Sequence, residues 1–291
     1  MKAVILGMPE GADGVRGGMD GSGCRIVEVG TPSKKLLFNE INACIDGLRD
    51  GGVDEIIVRD LQPDSGFFTI HDLRPGTMLM TVRDAAGPQI IADASVDMVL
   101  ILGAYAMNNT KNGFLAHTMD SRVVESLTLN NQPIGDLGIY ILNAAYFGVP
   151  TVLVSGDMAA CCEAEEFAGR LETVVTKKGI GRYRSLNRPA EEVYRELREK
   201  SARAAKKIRE YKAKELPESF EIRIKMQSAN FTVDYFRRGA EIRDNTTVIL
   251  KGNDFIDLYS QLHGWAPGAH KKRYGVTKDT HDFFTVKQLS I

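Results

Sequence analysis

Four short apolar runs, each stopped by a polar or glycine-rich corner, constrain this chain more than any other feature. They cover residues 3–6, 55–58, 98–102 and 151–154, and the corners that follow are 7–11, 59–62, 103–109 and 155–157. Runs this short and continuously apolar fit strands buried on both faces, as in a parallel sheet. Helical patterning lies between them. Residues 38–49 place Ile41, Cys44, Ile45 and Leu48 on one face, and Gly51 and Gly52 then end the helix. Further helices are predicted over 135–146 and from Asp157 through Glu163 to Phe167. Alternation of this kind predicts an α/β fold, a mostly parallel sheet with flanking helices. Such sheets bind ligands outside the carboxyl ends of their strands, so the corners are where chemistry is expected.

The second half changes character. Residues 189–214 read as one long charged helix, with Val193, Leu197, Ala204, Ile208 and Tyr211 as its buried stripe and Pro217 closing it. Phe220, Ile222, Ile224 and Met226 then alternate with charged residues, the pattern of a half-exposed strand. Residues 246–250 are its expected companion and 255–265 a closing helix. A smaller α+β second domain is therefore predicted. The expected division is an α/β domain over 1–170 carrying the site, an α+β domain over 171–265, and a surface extension over 266–291.

Composition narrows the function classes. Hydrophobic residues make up 43% and charged residues 26%, and the formal net charge is -1. That balance is globular and steers the chain towards neither nucleic acid nor an anionic membrane. No apolar stretch approaches the roughly 20 residues that span a bilayer, and the run at 3–6 is too short for a signal peptide. A cytoplasmic protein is expected. Cys24, Cys44, Cys161 and Cys162 lack zinc-type spacing and read as small buried apolar residues. The glycine-rich stretch 11–23 lacks both the P-loop and the dinucleotide pattern, so it reads as a flexible loop at an active site or interface.

Among the five histidines, His117 is the most suggestive. It follows Asn108, Asn109, Asn112 and Gly113 in a polar loop after a buried strand, where a general acid or base is presented to a cleft. A loop histidine bonded to a neighbouring carbonyl fits the same position equally well. Glu10, Asp60 and Asp157 stand at strand ends and Asp136 near a helix start. Each alone suits a cap or a turn. Converging, they would form an acidic cup for a cation or an amine.

These residues also carry a resemblance. Met8-Pro-Glu-Gly11, Leu100-Ile-Leu-Gly-Ala-Tyr-Ala106, Ala116-His-Thr-Met119, Asn131-Gln-Pro-Ile-Gly-Asp-Leu-Gly138 and Val149-Pro-Thr-Val-Leu-Val-Ser-Gly-Asp157 resemble the zinc D-aminopeptidase family. The likeness extends from Met1 to about Trp265. It implies a peptidase-like hydrolase acting on a small molecule or short peptide, and a homo-oligomer, a ring-stacked decamer with an internal chamber. It also implies two zinc ions, held by Asp-x-Glu after the first strand, one histidine after each of the next two, and a glutamate in Pro-x-Gly-Glu-Leu-Gly. Carried over, the second acid is Glu10, that glutamate is Asp136, and the catalytic histidine is His117. Met8 stands in place of the first aspartate, Gln62 and Tyr105 in place of the two ligating histidines.

Donor chemistry makes a paired zinc centre unexpected. Catalytic zinc normally has three protein ligands drawn from imidazole, thiolate and carboxylate. A thioether is a soft donor, and a tyrosine must shed a proton whose ordinary pKa is about 10. Either no cofactor is expected, or one weakly bound magnesium-like cation on Glu10 and Asp136. The expected function is a D-aminopeptidase-like hydrolase with a remodelled pocket: His117 as acid–base group with Glu10 and Asp136, and Tyr105, Gln62, Asn108 and Asp60 contacting the substrate. The alternatives are a metal-independent lyase, isomerase or glycosidic-bond enzyme on the same fold, or a non-catalytic oligomeric binding protein.

Overall fold

The four apolar runs are neighbouring strands of one sheet. A computed structural model describes residues 1–12, 16–19, 25–28, 31–61, 69–80, 90–237 and 239–281. Its first strands are β1 (Lys2–Gly7), β2 (Arg16–Met19), β3 (Arg25–Glu28), β4 (Glu55–Asp60), β5 (Met78–Met80), β6 (Met98–Ala104) and β7 (Val124–Leu129). Next come β8 (Gln132–Pro133), β9 (Thr151–Asp157), β10 (Glu172–Gly181) and β11 (Arg184–Asn187). The last are β12 (Phe220–Met226), β13 (Glu241–Asp244) and β14 (Thr247–Gly252). The helices are α1 (Thr31–Asp50), α2 (Asp136–Tyr146), α3 (Met158–Ala168) and α4 (Ala190–Lys206). Shorter ones follow: α5 (Thr232–Arg237), α6 (Phe255–Leu262) and α7 (Ala269–Tyr274).

A seven-stranded sheet runs in the order β11-β10-β9-β6-β1-β4-β5. Its pairings are parallel except for the edge strand β11. A five-stranded antiparallel sheet has the order β13-β14-β12-β7-β8. This is the mixed α/β architecture that the apolar runs predict. Strands from both sides of residue 170 enter each sheet: β10 and β11 extend the first, and β7 and β8 complete the second.

Side-chain alternation divides the core. Ala3, Ile5, Met98, Leu100 and Leu102 face α1 and α4, where Leu37, Ile41, Ile45, Leu48, Val193 and Leu197 meet them. Val4, Leu6, Val99 and Ile101 face the other way and pack with Ile222, Ile224, Val248 and Leu250 of the second sheet. Each such buried Val, Leu, Ile or Met side chain contributes about 1.5–3 kcal/mol. The parallel sheet is thus covered on both faces, by helices on one side and by the second sheet with α2 and α6 on the other.

Four expectations need correction. The charged helix ends at Lys206, and a 3-10 turn over Ile208–Glu210 follows. The Tyr211 hydroxyl donates to Glu172 Oε1 at 2.8 Å, and Arg203 pairs with the same carboxylate, so the chain is drawn onto β10 instead of continuing the helix. The closing helix stops at Leu262, because Gly264 adopts φ +98 and Trp265 N–H donates back to Ser260 O. Part of the tail beyond residue 265 packs inward: Val276 is fully buried, and Ala94 N–H donates to Thr280 O at 2.8 Å. Part of the glycine-rich stretch forms the two-stranded ribbon β2–β3.

Candidate active site

β1 lies between β4 and β6, and the chain runs from β1 through α1 to β4 on one side while β6 takes the other. The carboxyl ends of β1 and β6 therefore flank a switch point of the sheet, where a crevice is expected. Two backbone bonds lock the segments leaving these strands together: Met8 N–H donates to Leu102 O and Gly11 N–H to Gly103 O, both at 2.8 Å. Only glycines permit the approach. A Cβ on Gly103, which has φ +71, would sit 1.8 Å from Met8 O, and one on Gly11 would sit 1.9 Å from Ala104 O.

This clamp brings Glu10 and Tyr105 into one buried cluster with Asp136 and His117. They are 2%, 7%, 6% and 2% exposed, respectively. The Tyr105 hydroxyl donates to Asp136 Oδ2 at 2.6 Å, and the Tyr105 ring stacks on the His117 imidazole with centroids 3.7 Å apart. Asp136, in the first turn of α2, also accepts from Met119 N–H, at 3.1 Å on Oδ1 and 2.9 Å on Oδ2. Leu115 and Met119, on either side of His117, both have φ +52. Such strain in non-glycine residues persists only where the surroundings enforce it.

His117 Nδ1 lies 2.7 Å from Leu115 O. A carbonyl oxygen only accepts, so Nδ1 carries the hydrogen and Nε2 is the basic nitrogen. Burial, then the charge of Asp136, pushes the Tyr105 phenol well above its ordinary range, with Tyr140 and Glu10 adding to it. Tyr140 is raised by burial and by Tyr259, with Asp136 and Glu10 adding to it, while the Arg59 guanidinium opposes them. Arg59, on β4, is buried and donates to Ile90 O. It and burial hold His263 down at about 4, burial being the larger cause.

The remaining expected residues are placed less decisively. Asp60 ends β4 opposite Gly7, and Gln62 lies outside the described residues. Asn108 Nδ2 donates to Glu125 O at 2.7 Å and its backbone N–H to Thr118 Oγ1. Its Oδ1 is buried with no hydrogen-bond partner among the described residues. Asp157 caps α3 through Ala160 N–H at 2.9 Å and also accepts from Phe114 N–H at 2.7 Å. It fixes the loop that carries His117.

Sequence reasoning missed Arg59, Tyr140 and Glu163. Arg59 and Tyr140 sit where only the fold brings charges together. Glu163 is one turn from Phe167 on α3, a charged residue beside the buried stripe of Ala160 and Ala164, and that spacing was the available signal. Its Oε2 accepts from Met107 N–H at 2.9 Å. Burial, reinforced by Asp136, Asp157 and Glu166, pushes its carboxyl up to about 7.

The donor set fits a paired zinc centre poorly. Met8 packs its thioether into the core, Tyr105 keeps its proton for Asp136, and Asp136 already accepts from Met119. Among the described residues, no group of three or more His, Cys, Asp or Glu is placed to hold a metal ion.

Comparisons agree with this architecture. Residues 14–263 match the model of the peptidase M55, D-aminopeptidase, family. A D-aminopeptidase of Bacillus subtilis (strain 168) is 27% identical over 233 residues, 78% of this chain and 83% of that protein. The solved structure of the Zn-dependent D-aminopeptidase DppA from Bacillus subtilis, described as a self-compartmentalizing protease, superposes with a TM-score of 0.78 at 25% identity. It covers 90% of this chain and 95% of that one. Most of the chain lies within the family match, so this protein belongs to the D-aminopeptidase family.

Proposed function

We propose that this chain hydrolyses a small amide or short peptide with His117 as its acid–base group and without a pair of zinc ions. The observation that carries this reading is the hydrogen bond from Tyr105 to Asp136, made at the place where the family resemblance calls for two metal ligands. A phenol that donates to a carboxylate is not a phenolate available to zinc. Glu10 and Asp136 hold at most one weakly bound, oxygen-coordinated cation.

In this reading Nε2 of His117 takes a proton from the attacking water as its oxygen joins the carbonyl carbon. It returns that proton to the leaving amine as the C–N bond breaks. Glu10 and Asp136 supply negative charge that favours the transient imidazolium. Tyr105 fixes the ring by stacking and holds Asp136 in place. Asn108, whose Oδ1 is buried with no hydrogen-bond partner among the described residues, contacts the substrate. The relative described as self-compartmentalizing supports a closed homo-oligomer here too.

The near-complete burial of His117 favours a second reading, a binding protein with an inert pocket. One assay separates the two. Wild type and His117→Ala are compared on both enantiomers of aminoacyl amides, with chelator and with added zinc. Turnover that survives the chelator and falls in the variant supports the hydrolase. Strictly zinc-dependent turnover returns the protein to ordinary family chemistry, and no turnover on a broad amide panel selects the binding protein.

A further inference from the structure

Two neighbouring side chains of β10 reach the same short segment, although successive residues of a regular strand point to opposite faces. Thr176 Oγ1 lies 2.7 Å from Gly11 O and 3.0 Å from Gly156 O, and Lys177 Nζ donates to Ala12 O. The register between β9 and β10 explains this. Val175 pairs with Gly156 and Lys177 with Asp157, so Thr176 is an extra residue, a bulge of the kind that re-aims side chains. Gly11 and Ala12 directly follow Glu10.

Lys177 is fully buried, a position that lysine takes only when it is paired. Its ammonium also serves a second segment. Nζ stands 4.6 Å from the centroid of the Phe114 ring, a cation–π contact that the exclusion of water strengthens. Phe114 N–H donates to Asp157 Oδ2 at 2.7 Å, and Leu115 N–H donates to Arg182 O, just beyond the end of β10, at 2.7 Å. Leu115 O in turn lies 2.7 Å from His117 Nδ1. Burial raises the Asp157 carboxyl, with the Phe114 and Ala160 amides and the Lys177 charge opposing it. Lys177 thus touches both the segment that leaves Glu10 and the loop that leads to His117.

We infer that Lys177 is a positioning residue: its buried ammonium joins the Glu10 segment to the His117 loop and fixes the two groups relative to each other. Its effect on turnover rests on the hydrolase reading above; the coupling of the two segments does not. Displacing a catalytic group by about 1 Å costs up to about a hundredfold in rate.

The test is amide hydrogen exchange, read by mass spectrometry on peptides spanning 8–12 and 112–119. Wild type, Lys177→Met, Phe114→Leu and Leu197→Ala are compared. Methionine keeps an apolar stem and removes the charge and the donor. Leu197→Ala, a truncation in the core between α1 and α4, is the control for general loss of stability. The inference expects exchange at least tenfold faster in both peptides of Lys177→Met, in 112–119 alone in Phe114→Leu, and no such increase in Leu197→Ala. On the amide that wild type turns over best, kcat should fall at least tenfold in Lys177→Met with KM within twofold, and hold its wild-type value in Leu197→Ala. Unchanged exchange in Lys177→Met, or an equal increase in the control, overturns the inference, as does an unchanged kcat with both peptides loosened. If Lys177→Met does not fold, Phe114→Leu decides: loosening confined to 112–119 upholds the coupling, and unchanged exchange there overturns it. A wild type without turnover removes the hydrolase reading, and exchange then decides the coupling alone.

Discussion

Tyr105 donates its hydroxyl hydrogen to Asp136 Oδ2 at 2.6 Å, and both groups are nearly buried. The bond ties the end of β6 to the start of α2 and fills the electrostatic centre of the site with a proton. Tyr105→Phe removes this donor from the buried Asp136 carboxylate. The expected cost is about 1.5–3 kcal/mol, the usual contribution of a hydrogen bond to a charged group. Urea denaturation of the variant checks this; an unchanged midpoint would mean the bond does not form.

The clamp between β1 and β6 makes a sharper steric prediction. Gly11→Ala puts a methyl 1.9 Å from Ala104 O, with backbone on both sides of the collision. Neither segment can yield without breaking the Met8–Leu102 and Gly11–Gly103 bonds. The loss should be about 3 kcal/mol or more, or failure to fold. Gly148→Ala is the control: its φ of +75 is unfavourable, but nothing lies within 4 Å of the added methyl. About 1 kcal/mol is expected there. Thermal unfolding of the pair measures both.

Glu163 gives a pH dependence with a definite sign. Its folded-state carboxyl is raised to about 7 from an ordinary 4.5, chiefly by burial. Between these values the folded chain binds more protons at this group than the unfolded chain does. Stability contributed by the neutral acid is therefore full below about 4.5 and lost as pH rises towards 7. Asp157, also raised by burial, acts in the same direction. Stability of Glu163→Gln should fall less steeply than wild type over this window, as read from urea midpoints at stepped pH. Parallel curves would show that Glu163 titrates normally.

Much of the fold was legible because apolar runs and their corners report burial directly. The ends of β1, β4, β6 and β9 fall within a few residues of the expected ones. The five-stranded sheet was only half legible. Val124–Leu129 has the burial pattern of a one-sided strand, and its partner β12 lies far along the chain, a pairing that local pattern does not encode. At the site, Glu10, Tyr105, Asp136 and His117 were recognisable as residue types. Their mutual arrangement was not. The stacking of Tyr105 on His117 depends on the strained turn at Leu115 and on the glycine clamp, neither of which leaves a periodic trace. Arg59 reads in sequence as the end of a strand, and only the fold reveals it as a buried positive charge among tyrosines.

His117→Ala addresses the acid–base role. General acid–base catalysis contributes about 10²–10⁴-fold, so kcat on the best amide should fall by at least a hundredfold. His117→Gln should not restore it, since glutamine has no basic nitrogen. Retention of most activity in either variant assigns the proton transfers to another group.

We propose that the hydrogen-bonded pair Tyr105 and Asp136 stands where the family resemblance calls for metal ligands, so that paired zinc ions are not held here. Elemental analysis of the native protein, purified without chelator and dialysed against trace zinc, tests it most directly. Zinc well below one ion per chain is the predicted result. Two tightly held ions per chain, released when Glu10 and Asp136 are substituted, would contradict it.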